Sequence, residues 1–251
     1  MKITILCENQ ASYETSKICL AEWGFSVFIQ KNGINILFDT GRSGIYKSNA
    51  EKLNINLQDT DFVVFSHHHF DHMGGIQYHN FKNKKKLIVH PDILEKIFSD
   101  QAKKIKNDFE IINSRKPLEF SDGIYYLGEI PRKNNFEKGA HEDDKMLDDS
   151  AIAIKSQKGV IIISGCSHAG ICNICEYAKE ITSQKLYAVI GGFHLFEDDQ
   201  EAIDGTIEYF KAEKPEHLYP MHCVDFPTLS KLHSIFGIQK LSTGNEIKLN
   251  D

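Results

Sequence analysis

The residue types with most chemical capacity lie together in Ser66-His67-His68-His69-Phe70-Asp71-His72-Met73-Gly74-Gly75, four candidate ligands within six positions. Imidazole nitrogens and a carboxylate at this density suit a divalent metal, and on ligand type alone zinc, iron and manganese all fit. The run follows the apolar stretch Phe62-Val63-Val64-Phe65. If the chain stays extended, His67, His69 and Asp71 fall on one side while His68 and Phe70 face the other. A turn permitted by Gly74 and Gly75 then lets Asp71 and His72 reach a second ion. Such a cluster at the end of an apolar strand is a poor candidate for a chance surface loop, whereas the isolated His79, His217 and His233 read as histidines without a role.

The elements that must position these groups are short. Val27-Phe28-Ile29 and Ile34 to Phe38 flank Lys31-Asn32-Gly33, a hairpin signal. Further strands are expected at Leu87 to His90, Ile124 to Leu127, Ala151 to Ile154, Val160 to Ile163 and Leu186 to Ile190. Apolar residues at Ile171, Ile174, Cys175, Ala178 and Ile181 share one helical face, and a second helix is expected from Ala202 to Phe210. The segment Pro131 to Asp149 is a polar insertion. Hairpins in one half and strand-helix alternation in the other predict a mixed α/β layer architecture.

Composition narrows the function classes. The 251 residues, 41% hydrophobic and 25% charged, suit one large domain over 1–251. A net charge of -6 gives no footprint for nucleic acid, and Lys82 to Lys86 reads as a solvated turn before a strand. No window approaches the ~20 apolar residues of a spanning helix, so no membrane role is expected. Six cysteines in a chain of this size favour a reducing compartment, and a cytoplasmic protein acting on a small molecule is expected. The sequence does not speak to the oligomeric state. Cys172-x-x-Cys175 falls on the apolar helix face and reads as core packing rather than as a redox pair or a cluster site.

His67-x-His69-x-Asp71-His72 with Gly74-Gly75, and Phe38-Asp39-Thr40-Gly41 upstream, resembles the metallo-β-lactamase superfamily. Gly165-Cys166-Ser167-His168-Ala169-Gly170, Gly191-Gly192-Phe193-His194-Leu195 and Met221-His222-Cys223 resemble its dihydropterin-ribofuranosylaminobenzene phosphate synthase-like branch. The resemblance implies a four-layer αββα sandwich of two mixed β-sheets with a site for one or two divalent metal ions, usually used for hydrolysis; zinc is the expected ion, with iron or manganese as alternatives. It implies ligands at His67, His69, Asp71, His72 and His222. Cys166 occupies the place of the aspartate that usually bridges two ions, and His168 is the expected replacement for a third histidine that the segment with His141, Asp148 and Asp149 does not supply in a recognisable motif. Which of Cys166 and His168 ligates stays open. Asp39 is expected to orient a ligating histidine, Asp71 to act on the water, and His194 either to bind metal or to contact substrate. The default activity is hydrolysis of a small ester, phosphoester or lactone; the branch implies instead a synthase joining a pterin precursor to a phosphorylated ribofuranosyl aromatic amine. A non-catalytic metal or redox sensor acting through Cys166 is the third reading.

Overall fold

The computed structural model describes residues 1–13, 18–138 and 143–250, and the chain divides into two compact units, Met1–Ser114 with Leu241–Asp251, and Arg115–Lys240. In the first, the apolar N-terminal run is β1 (Lys2–Cys7), followed by β2 (Ser26–Lys31) and β3 (Ile34–Phe38). Asn32 and Gly33 both take positive φ, +49° and +82°, as a two-residue hairpin turn between twisted strands requires. Then come β4 (Phe62–Val64), β5 (Lys85–Val89) and β6 (Phe109–Asn113), with α1 (Ile45–Lys52), α2 (Phe70–Met73), α3 (Ile93–Lys96) and α4 (Ser99–Asp108) among them.

The second unit contains β7 (Leu118–Ser121), β8 (Ile124–Tyr126), β9 (Ala151–Lys155), β10 (Val160–Ser164), β11 (Leu186–Gly192) and β12 (His217–Met221), with α5 (Ile171–Thr182), α6 (Gln200–Glu213) and α7 (Phe226–Phe236). The chain then returns to the first unit as β13 (Glu246–Lys248).

The sheet of the first unit has the order β13-β1-β2-β3-β4-β5-β6, antiparallel from β13 to β3 and parallel from β3 to β6. The sheet of the second has the order β12-β11-β10-β9-β8-β7, parallel from β12 to β10 and antiparallel beyond. Two mixed sheets with flanking helices give the α/β class that the sequence implied. Strands β10 and β11 are buried at every residue, which is why they read as unbroken apolar runs rather than alternations.

Each sheet has its own core. In the first unit Leu6, Phe28, Leu37, Val63 and Leu87 pack with Tyr46 and Ile105 from the helices. In the second, Val160, Ile162 and Val189 pack with Ile171, Ile174, Cys175 and Ala178 of α5 and with Ile203, Ile207 and Phe210 of α6. Cys172 and Cys175 are both in this cluster, and burial pushes each thiol well above its ordinary range, as expected of packing cysteines. Helix ends follow local chemistry: Asp199 accepts from the Ala202 N–H to start α6, Asp225 from the Thr228 N–H to start α7, and Gly237 ends α7 at φ +64°. The polar segment 131–149 carries no helix or strand among its described residues, and His141 lies outside them.

Candidate metal centre

The groups with chemical capacity leave the strands at their carboxyl ends, where open α/β sheets present ligand sites. In the first unit Asp39 follows β3, and Ser66 and His67 follow its parallel neighbour β4. Asp39 is wholly buried and holds φ +54°. Its Oδ1 accepts the Ser66 N–H at 2.8 Å, and its Oδ2 accepts the Ser66 O–H at 2.7 Å. The same Oδ2 lies 2.8 Å from His72 Nδ1. With the Ser66 hydroxyl proton committed to Asp39, His67 Nδ1 at 2.9 Å donates to Ser66 Oγ. One carboxylate therefore sets the tautomer of two imidazoles, protonating Nδ1 in each and leaving the Nε2 lone pair available to a ligand.

The rings converge accordingly. His67 stands 4.6 Å from His69 and 4.2 Å from His72, measured between centroids. His72 Nε2 is 3.8 Å from Asp71 Oδ2. His67 and His72 are buried, His69 and Asp71 half-buried, so the cluster has a dry side and a side open to solvent.

Asp71 does not lie on an extended chain beside His67 and His69, as the alternation predicted. His69 is the last extended residue, at φ -62° and ψ 144°, and α2 begins at Phe70, with the N–H groups of His72 and Met73 both returning to the His69 carbonyl. A single helical turn, not a strand, carries Asp71 and His72. Thr40 secures that turn through its N–H, 2.6 Å from the His72 carbonyl, and Phe25 through its N–H to the Asp71 carbonyl at 3.1 Å. The role expected of the glycines is corrected too. Gly74 and Gly75 do not adopt positive φ; they make room. A Cβ at Gly75 would meet the Thr40 carbonyl oxygen at 2.0 Å and that of Ser43 at 2.5 Å, and one at Gly74 would meet the Arg42 oxygen at 2.6 Å.

In the second unit three parallel neighbours end in donor-bearing turns: β10 before Cys166, Ser167 and His168, β11 before His194, and β12 before His222 and Cys223. Ser167, His194 and His222 hold φ of +63°, +49° and +52°. Left-handed backbone at a non-glycine residue costs of order 1–3 kcal/mol and concentrates at functional sites. Here it occurs in all three turns. Ser167 Oγ donates to the Gly192 carbonyl at 2.6 Å, and Ala169 N–H to Asp149 Oδ2 at 2.9 Å, which fixes the loop around His168. The His168 and His194 rings are 4.3 Å apart. The loops after β11 and β12 run side by side through Leu195 and Val224.

Cys223, which the sequence reading did not single out, is buried here. Its Sγ lies 3.3 Å from the His194 N–H donor and 3.3 Å from the Cys166 carbonyl. Burial pushes its thiol up, but hydrogen bonding with Cys166 and the neighbouring His222 and His194 bring it down to about 5. The only sequence signal was its place next to His222. A buried carboxylate was also passed over: Glu137 accepts the N–H groups of Cys172 at 2.8 Å and Asn173 at 3.1 Å, capping α5, and burial raises its pKa. Of the isolated histidines, His79 is not on the surface but enclosed between Tyr46 and Phe81.

A sequence profile of the Metallo-beta-lactamase superfamily matches residues 24–177, a span containing every donor from Asp39 to His168. The chain belongs to the metallo-beta-lactamase superfamily. It is 33% identical to the 7,8-dihydropterin-6-methyl-4-(beta-D-ribofuranosyl)-aminobenzene-5'-phosphate synthase of Methanocaldococcus jannaschii, over 99% of this chain and 96% of that protein. The solved structure of Tm1679, a metal-dependent hydrolase of the beta-lactamase superfamily, is similar at TM-score 0.84 and 25% identity, covering all of both chains. Zn2+-bound PqqB from Methylobacterium extorquens shares the fold at TM-score 0.66 and 12% identity, over 99% of this chain and 100% of that one. Among these relatives one is a synthase and one a metal-dependent hydrolase. Members of the superfamily typically bind divalent metals, and the imidazole and carboxylate groups of this chain fit such an ion: their rings converge, and Asp39 presets two of them in the tautomer a metal requires.

Proposed function

We propose that the protein is a metal-dependent hydrolase of a small ester, phosphoester or lactone, with His67, His69, Asp71, His72, His168, Cys166 and His222 as the ligands of one or two divalent ions, zinc foremost. The observation that carries this reading is the convergence of His67, His69 and His72 beside Asp71 with Asp39 fixing the His72 ring. Bound there, a divalent ion supplies Lewis acidity and a nucleophile at neutral pH, by lowering the pKa of water from ~15.7 toward ~7.

The chain's own groups do the rest. Asp71 Oδ2, half-buried beside His72 Nε2, accepts a hydrogen bond from the attacking water and aims its lone pair at the electrophile. His194, half-buried with its ring tilted against that of His168, donates a hydrogen bond to the oxygen that gains charge in the transition state. The buried Asp39–Ser66 pair keeps two imidazoles from rotating, so no reorganisation is needed as charge develops. A reducing, cytoplasmic compartment belongs to this reading, because it keeps the six buried thiols reduced.

A second reading, synthase-type transfer joining a pterin precursor to a phosphorylated ribofuranosyl aromatic amine, is favoured by one observation: the full-length similarity to the archaeal synthase. Turnover assays on metal-loaded protein separate the two. Hydrolysis of a generic phosphodiester, ester or lactone that disappears in His69→Ala supports the hydrolase. Product formed only when both a dihydropterin and a ribofuranosyl-aminobenzene phosphate are supplied would replace it with the transfer reaction. No turnover of either kind, with metal lost reversibly on thiol oxidation, would leave the sensor.

A further inference from the structure

Cys223 has no part in the reading above, yet its surroundings are those of a ligand. Within the second unit the Cys166 Sγ, a His222 ring nitrogen and the Cys223 Sγ all lie within 4.8 Å of one another, and all three residues are buried. A tetrahedral ion with metal–sulfur bonds of about 2.3 Å and metal–nitrogen bonds of about 2.0 Å holds such atoms roughly 3.5–3.8 Å apart. The cluster therefore closes on an ion when separations of up to 4.8 Å shorten by about 1.3 Å at most.

The local backbone is arranged around the sulfur. The His194 N–H points at Cys223 Sγ at 3.3 Å, the kind of hydrogen bond that stabilises a ligating thiolate. Space for that sulfur exists because position 192 is glycine: a Cβ there would stand 2.6 Å from Cys223 Sγ and 3.1 Å from Cys166 Cα. The left-handed His222 sets the direction of both side chains at the end of β12.

We propose that Cys223 is a metal ligand, forming with Cys166 and His222 a soft donor set of two sulfurs and one nitrogen. Such a set selects zinc, and cadmium or cobalt as probes, over manganese and magnesium. Both cysteines bind as thiolates, and any proton a thiol still carries passes to solvent when the ion enters. The inference rests on the reading that the chain holds metal, and it adds the second sulfur and the preference for a thiophilic ion.

The test is X-ray absorption on zinc-loaded wild-type protein together with cobalt titration of wild type, Cys166→Ser and Cys223→Ser. Sulfur scatterers at about 2.3 Å are expected in the wild type, two per zinc when one ion is bound and an average of about one per zinc when two are. A near-ultraviolet thiolate-to-cobalt band is expected in wild type and should fall by about half in each serine variant, with cadmium affinity falling about tenfold or more in Cys223→Ser. A zinc spectrum with nitrogen and oxygen neighbours alone, or a cobalt band and cadmium affinity unchanged in Cys223→Ser, overturns the proposal while leaving the metal site itself standing. Failure of wild type to bind zinc or cobalt at all overturns both.

Discussion

The carboxylate of Asp39 lies 2.8 Å from Nδ1 of His72, and both side chains are wholly excluded from solvent. Because the same carboxylate also binds Ser66, which holds His67, a single buried group orients two of the three converging imidazoles. Asp39→Asn keeps the shape but cannot accept at both oxygens. Metal affinity should fall by ~10–100-fold, and excess metal should restore most of the turnover. Competition with a chromophoric chelator measures this directly, and an unchanged affinity would remove Asp39 from the account.

Gly75 tests whether the glycine pair serves space or rotation. Gly75→Ala drives a Cβ to 2.0 Å from the Thr40 carbonyl, so the α2 turn must move; the loss should exceed ~2 kcal/mol in urea unfolding and weaken metal binding with it. Gly33→Ala is the control, with open space around it and only the cost of φ +82°, about 1 kcal/mol. Equal losses in the two variants would contradict the packing role.

Much of this arrangement was legible before the structure, for identifiable reasons. The hairpin at Asn32-Gly33 carried its own turn chemistry, and the face of α5 carried its 3.6-residue period. The ligand types around His67 needed no geometry to be recognised. The placement of Asp71 was misjudged because local alternation cannot reveal that the Thr40 and Phe25 N–H groups wait to receive the carbonyls of a helical turn. Cys223 and Glu137 were missed for a related reason. Burial is created by partners distant in sequence, His194 for the first and the start of α5 for the second, and one residue's type does not announce it.

His79 gives the fold an acid sensitivity. Burial, followed by the charges of Lys47, Lys104 and Lys85, lowers its pKa from 6.5 to about 4. Between those values the unfolded chain binds more protons than the folded one, so the stability His79 contributes is present above pH 6.5 and lost as pH falls toward 4. Neither of its ring nitrogens has a hydrogen-bond partner among the described residues, so His79→Phe fits the apolar niche. The urea midpoint of wild type should drop more between pH 7 and pH 4.5 than that of His79→Phe; parallel drops would refute the assignment.

Glu137 ties the polar segment to the start of α5. Glu137→Ala leaves the Cys172 and Asn173 N–H groups without their acceptor and should cost ~0.5–2 kcal/mol, with Glu137→Gln between it and wild type. Thermal unfolding ranks the three, and an alanine variant as stable as wild type would show that water replaces the cap without loss.

The most direct test of the central claim is elemental analysis of protein purified without a histidine tag, alongside His67→Ala and His69→Ala. The account predicts about one or two equivalents of a divalent metal in wild type and a loss of most of it in both variants. Wild-type protein that takes up no metal even when zinc, iron or manganese is supplied would contradict it, and the histidine cluster after β4 would then need another explanation.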